Sequence, residues 1–162
     1  MASRSRIARA RRPSSREECR ERAIRLLSVR SRSREELRRA LELRGYAAEA
    51  VQETLSALSR DGSLNEQAAL ESYLLNREER FSRERLRQEM RQRGFPKISI
   101  DRALADISDD DERALLDSLY HRRATELASL PAEKRKKKVF DFLRRRGFPT
   151  SSILETMGEA EE

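Results

Sequence analysis

The chain of 162 residues has the length of about one domain, and 40% of its residues are charged while 36% are hydrophobic, with a formal net charge of +7. Cys19 is the only cysteine, which excludes an intramolecular disulfide and a cysteine zinc cluster, and a single histidine with five glycines leaves few parts for catalysis. We therefore expect a protein that is not an enzyme, with no cofactor, no metal site, no secretory signal and no membrane span, located in the cytoplasm.

The predicted elements begin after a basic tail at residues 1–13, which we expect to be disordered. In the helix that follows, Ala23, Ile24 and Leu27 fall on one face. This helix comes after the run Ser14-Ser15-Arg16-Glu17, whose spacing predicts a capping box.

Next along the chain comes an Arg-Gly-aromatic motif that occurs three times, around Gly45, Gly94 and Gly147. Positions eight and four residues before each glycine lie on one helical face, and a glycine just past them can take the left-handed conformation that stops a helix. The pattern predicts a helix, a glycine stop and a second helix in each copy, with the aromatic residue packed back on the first. The shared apolar positions are Leu37, Leu41, Val51 and Leu55, then Leu86, Met90, Ile100 and Leu104, then Val139, Leu143, Ile153 and Met157.

An opening helix also precedes the second and third copies. The second runs from about Leu64 to Glu79 after Ser63, and the third starts after Ser108. No segment alternates with the period of two that is typical of strands. The sequence therefore predicts an all-α chain of about nine helices, in three tandem three-helix repeats that form a short curved, solenoid-like array. The predicted boundaries are a tail at 1–13, repeats at 14–62, 63–107 and 108–157, and a disordered tail at 158–162.

Basic charge is concentrated in the middle helix of each repeat. Residues 30–44, 80–94 and 133–147 hold 20 Lys and Arg against seven Asp and Glu, a net charge of +13, which leaves −6 for the other 117 residues. One interpretation is an ordinary solvated helix face whose arginines pair with glutamates at i, i+4. A surface for a polyanion or an acidic protein face also explains the uneven placement. The candidate contact residues, which should point outward, are Arg38, Arg39, Arg87, Arg91, Lys137, Arg144 and Arg145.

With these residues in view, the sequence resembles the bacterial RecX family of regulators of the RecA recombinase. Residues 23–37 read AIRLLSVRSRSREEL, similar to the opening pattern of the family, in which Arg-Ser-x-x-Glu-Leu follows alanine, leucines and arginine. Residues 138–148 read KVFDFLRRRGF, which looks like the C-terminal Phe-Leu-x-x-Arg-Gly-Phe motif. The resemblance covers about residues 16–157. The chain departs from the family at Asn65 and Glu66, where Asp-Asp is typical, and at Ser82, where glycine is expected.

The resemblance implies a non-catalytic, monomeric modulator that binds RecA filaments on single-stranded DNA. Such proteins restrain filament growth, ATP hydrolysis and strand exchange. An alternative from the residues alone is a basic helical nucleic-acid-binding protein, or an interaction scaffold, without specificity for RecA.

Overall fold

A computed structural model describes residues 16–75 and 77–159. Within these ranges the chain forms nine α-helices and no strand, so the all-α prediction is confirmed. Among the helices described, none has the length and apolarity needed to cross a lipid bilayer. The helices are α1 (Arg16–Val29), α2 (Arg34–Glu42), α3 (Ala48–Arg60), α4 (Glu66–Leu75), α5 (Arg83–Gln92), α6 (Lys97–Ala103), α7 (Asp109–Glu126), α8 (Ala132–Arg145) and α9 (Thr150–Glu159).

Two of the expectations concern residues at the ends of the chain. The tail at residues 1–13 and the capping box at Ser14 and Ser15 lie outside the described residues. Gly158 and Glu159 belong to α9, although they were expected in a disordered tail.

The first of two compact units ends at Asn65 and contains α1 to α3 around one hydrophobic core. Helix α1 contributes Cys19, Ala23 and Leu26, which are spaced by four and then three residues and so share one face. Ile24, which the sequence placed on that face, is 46% exposed, and Leu27 packs only at the edge of the core. The predicted buried face of α1 was therefore wrong, because the face that enters the core is rotated by part of a turn from the predicted one.

The second unit begins at Glu66 and holds two hydrophobic cores. The core of α4 to α6 is built around the buried residues Leu70, Leu86, Met90 and Ile100. The core of α7 to α9 is built around Leu116, Leu119, Val139, Leu143, Phe148 and Ile153. Each group of three consecutive helices in the described part thus encloses its own core.

Gly45, Gly94 and Gly147 end the middle helices with φ angles of 85°, 80° and 93°. The same two backbone hydrogen bonds close each helix, as in a Schellman motif. The glycine amide donates to the carbonyl three residues earlier at 2.8 to 3.0 Å, and the next amide donates to the carbonyl five residues earlier at 3.1 to 3.4 Å. Those next residues are Tyr46, Phe95 and Phe148, of which Phe95 and Phe148 are buried.

Serine N-caps begin several of the helices. Ser33 and Ser108 each form a complete capping box, and the Ser82 side chain accepts a hydrogen bond from the Arg85 amide at 3.2 Å. The spacing of Ser63 and Glu66 also predicts a capping box, but Ser63 does not begin a helix, because α4 starts three residues later and the Ser63 amide instead donates to Asp61. Ser82 therefore preserves a helix start at a position where the sequence departs from the RecX pattern.

We predict that Gly147→Ala destabilises the protein more than Gly62→Ala does. Both glycines have positive φ, which costs an L-residue about 1 kcal/mol. A Cβ atom at Gly62 would meet nothing within 4 Å, whereas one at Gly147 would lie 2.5 Å from Arg85 Cβ and 2.6 Å from Ser82 Oγ. We expect this overlap to lower the free energy of unfolding, measured in urea, by a further amount of about 1 to 3 kcal/mol. Equal losses in the two variants would contradict a close approach at Gly147.

Candidate functional site

The strongest basic surface in the described chain lies on one side of α8. This helix carries seven Lys and Arg against Glu133 and Asp141. Val139 and Leu143 are buried in the core, so residues on the opposite side of the helix face water. We call the exposed cations on that side the α8 cationic face: Lys134, Lys137, Lys138, Arg144 and Arg145.

The α8 cationic face is about 17 Å long, since it spans 11 residue steps of helix. Asp141 lies on the same side and offsets part of its charge. Among residues 16–75 and 77–159, no carboxylate forms an ion pair with any of the five cations that define the face. Their charges are therefore available to an external anion.

Helix α2 has the opposite character, because its three arginines are matched by three glutamates. Arg38 donates to Glu35 and to Glu42 at 2.7 Å, and Arg39 donates to Glu35 at 2.6 Å. The hydrogen bond from Arg38 is the main cause that lowers the pKa of Glu35 to about 2, against the opposing effect of burial. Glu35 and Glu42 in turn raise the pKa of Arg38. Arg38 and Arg39 are thus partnered within their own helix.

Helix α5 is intermediate, with four arginines against two glutamates. Arg87 pairs with Glu84 at 2.7 Å and lies 3.9 Å from Asp101, and only 26% of its side chain is exposed, so it does not point outward as expected. Arg91 is exposed, and its charge helps Arg87 to lower the pKa of Glu84. The expected basic surface is therefore unequal: within the described residues Lys137, Arg144 and Arg145 form no ion pair, while Arg38, Arg39 and Arg87 each form one or more.

The second carboxylate of α5, Glu89, belongs to a partly buried polar network. It accepts hydrogen bonds from the Tyr73 hydroxyl, from Arg85 at 2.7 Å and from Arg77 at 3.1 Å. Burial raises the pKa of Glu89, but the bonds from Tyr73 and Arg85 outweigh it and leave the pKa lowered. Burial and the bond to Glu89 raise the pKa of Tyr73 to about 12. The network joins α4 to α5 and has a structural role.

A second group of basic residues surrounds Arg146, where α8 meets the start of α5. The Arg146 guanidinium lies over the rings of Phe81 and Phe142, with its Cζ atom 4.8 and 4.9 Å from the ring centroids. Its Nη1 donates to the Arg80 carbonyl at 3.4 Å, and its own carbonyl accepts a hydrogen bond from the Ser82 amide at 3.0 Å. The sequence assigned Arg146 only to the helix-stop motif.

The environment of Arg146 is strongly positive. Burial lowers its pKa, and repulsion from Arg80, Arg122 and Arg145 lowers it further. We call these four residues the arginine cluster. Arg80, Arg122 and Arg145 are exposed, and Arg146 is half-buried. Arg80 and Arg122 are far from Arg146 in the sequence, which is why spacing alone did not associate them.

The grouping of the helices and the charged surface define a class of protein: an all-α helical-repeat protein with a strongly cationic helix, α8. A family model described as RecX, first three-helix domain, matches residues 19–58, which span α1 to α3. The chain is 34% identical over 137 residues to the regulatory protein RecX of Trichlorobacter lovleyi, covering 82% of this chain and 89% of the relative. It is also 34% identical over 148 residues to the regulatory protein RecX of Halorhodospira halophila, covering 90% of each. The chain belongs to the RecX family of regulatory proteins.

Solved structures agree with the fold. A crystal structure of regulatory protein RecX is similar with a TM-score of 0.65 at 23% identity, covering 86% of this chain and 71% of that one. The crystal structure of RecX from Lactobacillus salivarius has a TM-score of 0.68 at 17% identity, covering 90% of this chain and 96% of that one. At this level of identity the likeness concerns the fold alone.

We predict that the ion pairs of Arg38 support the first unit at neutral pH and lose their effect in acid. Because the folded pKa of Glu35 is lowered from 4.5 to about 2, its stabilisation is complete above pH 4.5 and disappears as the pH falls through about 2. We expect Arg38→Met to lower the urea midpoint at pH 7 and to reduce the loss of stability between pH 5 and pH 2. Arg25→Met is a suitable control, because it removes an exposed pair with Glu21. If Arg38→Met lost as much stability between pH 5 and pH 2 as the wild type does, this role would be excluded.

Proposed function

We propose that this protein is a non-catalytic regulator of the RecA recombinase. In this proposal it binds RecA filaments on single-stranded DNA in the cytoplasm, acts as a monomer, and restrains filament growth, ATP hydrolysis and strand exchange. Membership of the RecX family supports the link to RecA regulation. The structural observation that carries the proposal is the α8 cationic face, whose charges have no carboxylate partner in the described chain.

Unpaired cations are favourable contact residues because binding does not have to break an internal ion pair. Lys137, Arg144 and Arg145 can displace the counterions condensed on DNA phosphates or complement carboxylates of a protein filament. Arg38 would first have to leave both Glu35 and Glu42. Among the candidates from the sequence, we therefore assign the main contribution to the residues of α8.

The same surface also supports a second candidate function, a nucleic-acid-binding protein without specificity for RecA. The α8 cationic face by itself would attract any polyanion of suitable size. The two candidates differ in stoichiometry. A molecule that blocks a growing filament affects many RecA protomers, whereas a competitor for bare DNA acts only when it covers much of the DNA.

We predict that substoichiometric amounts of the wild-type protein slow ATP hydrolysis by RecA on single-stranded DNA. The variant Lys137→Glu/Arg144→Glu/Arg145→Glu should need at least about tenfold more protein for the same inhibition, because it reverses three exposed charges that form no ion pair in the described residues. Arg25→Glu/Arg60→Glu/Arg102→Glu changes the net charge equally at exposed sites outside α8 and should retain most of the inhibition. Circular dichroism and thermal unfolding establish that both variants are folded.

Three results would contradict parts of this proposal. Absence of inhibition at any ratio would exclude the assigned regulation of RecA. Inhibition only near saturation of the DNA, relieved by additional bare strand, would favour the plain nucleic-acid binder. Equal inhibition by the wild type and the folded α8 triple variant would show that another surface makes the contact.

We also predict that α8 and α2 contribute differently to binding of bare single-stranded DNA. Each phosphate contact contributes about −0.7 to the slope of log K against log salt concentration. Lys137→Gln/Arg144→Gln/Arg145→Gln should reduce the magnitude of that slope by up to about 2, while Arg38→Gln/Arg39→Gln should change it little because those arginines are paired with Glu35 and Glu42. Fluorescence anisotropy titrations at several salt concentrations measure both slopes. Equal reductions in the two variants would refute the difference assigned to internal ion pairing.

A further inference from the structure

The arginine cluster of Arg80, Arg122, Arg145 and Arg146 has a charge that the described chain does not neutralise. Arg146 is half-buried, and none of the four side chains forms an ion pair with a carboxylate within residues 16–75 and 77–159. Taking a cation out of water is costly unless it is paired. Stacking on Phe81 and Phe142 compensates for part of this cost, since arginine binds favourably to aromatic faces.

The position of the cluster is determined by contacts between three helices of the second unit. The Arg146 carbonyl and the Ser82 amide join the end of α8 to the start of α5. Arg123 of α7 lies over the ring of Phe142 at 5.3 Å, on the same aromatic residue that supports Arg146. Arg122 precedes Arg123 in α7, is exposed, and lies close enough to Arg146 to repel it.

The negative end of the α8 dipole explains only part of this arrangement. Cations in the last turn of a helix are stabilised there, which accounts for Arg145 and for Arg146 just beyond it. Arg80 lies in the turn before α5, and Arg122 is in α7, so neither belongs to the last turn of α8. With Arg145 and Arg146 they bring four cations to one junction, and none of the four forms an ion pair in the described residues, an arrangement that favours an anion as ligand.

We propose that Arg80, Arg122, Arg145 and Arg146 form a phosphate-binding site at the junction of α5, α7 and α8. Guanidinium groups suit this ligand because their planar donors match phosphate oxygens. We assign the phosphate to a nucleic-acid strand, and this assignment rests on the proposed function. The phosphate site itself does not depend on that function, since inorganic phosphate offers the same oxygens.

The test uses the full chain and the double variant Arg80→Gln/Arg122→Gln. Both side chains are exposed, and neither forms a hydrogen bond or an ion pair in the described residues, so the variant should fold. Arg60→Gln/Arg102→Gln removes the same charge from exposed sites outside the cluster and serves as the matched control. Thermal unfolding is measured in sodium phosphate and in sodium chloride at equal ionic strength and pH.

In chloride, the cluster variant should be at least as stable as the wild type, because it lacks two charges that repel Arg146. In phosphate, the melting temperature of the wild type and of the control should rise, because a ligand that binds only the folded state stabilises it. The cluster variant should lose most of that rise. An equal rise in the cluster variant and the control would overturn the proposed site.

A second measurement identifies the source of the phosphate. The Kd for a fluorescent oligo-dT strand should increase by about tenfold in the cluster variant relative to the matched control, if strand phosphates occupy the site. A normal Kd with a lost response to phosphate would restrict the site to free phosphate and overturn the assignment to a strand. If neither the wild type nor any variant binds the strand, the DNA contact of the proposed function is wrong. The response to inorganic phosphate still decides whether the site exists.

Discussion

The left-handed glycine at the end of each middle helix is the constraint on which the rest of the architecture depends. The turn at Gly45, Gly94 or Gly147 reverses the chain within a few residues, so apolar positions before and after it enter the same core. Any residue other than glycine would adopt this conformation at a cost in free energy, and the cost would arise at each of the three turns. Because one face of the middle helix is used by the core, the opposite face is exposed and free to vary in charge.

The exposed faces of α2 and α8 differ in charge because their carboxylates are placed differently. In α2, Glu35 and Glu42 lie three residues before and four residues after Arg38, so the arginine is partnered at helical spacing. In α8, Asp141 lies at the same spacings from Lys137, Arg144 and Arg145, yet within the described residues none of the five defining cations forms an ion pair. The exposed charges of the middle helix therefore stabilise the protein in α2, whereas those of α8 remain without an ion pair in the described residues.

The sequence allowed much of the fold to be predicted, because its determinants are local. The glycine offsets specify a face and a helix end, and both follow from helix geometry alone. The register of α1 was harder to predict, since Ile24 is more apolar than Cys19 or Ala23 yet lies outside the core. For the site, the pairing of Arg38 could have been found from the spacing of its glutamates. The contact of Arg87 with Asp101 and the assembly of the arginine cluster depend on tertiary packing between separate helices.

The end of α8 shows how a structural constraint can also prepare a binding surface. Gly147 allows α8 to approach Ser82 and Arg85 too closely for any Cβ atom, and this approach brings the Arg146 carbonyl to the Ser82 amide. Arg146 is then held against Phe81 and Phe142 before any ligand arrives. A site that is already ordered loses less conformational entropy on binding than one that must be assembled. The folded state tolerates the repulsion between these like charges, and one backbone contact links the helix stop, the junction and the proposed anion site.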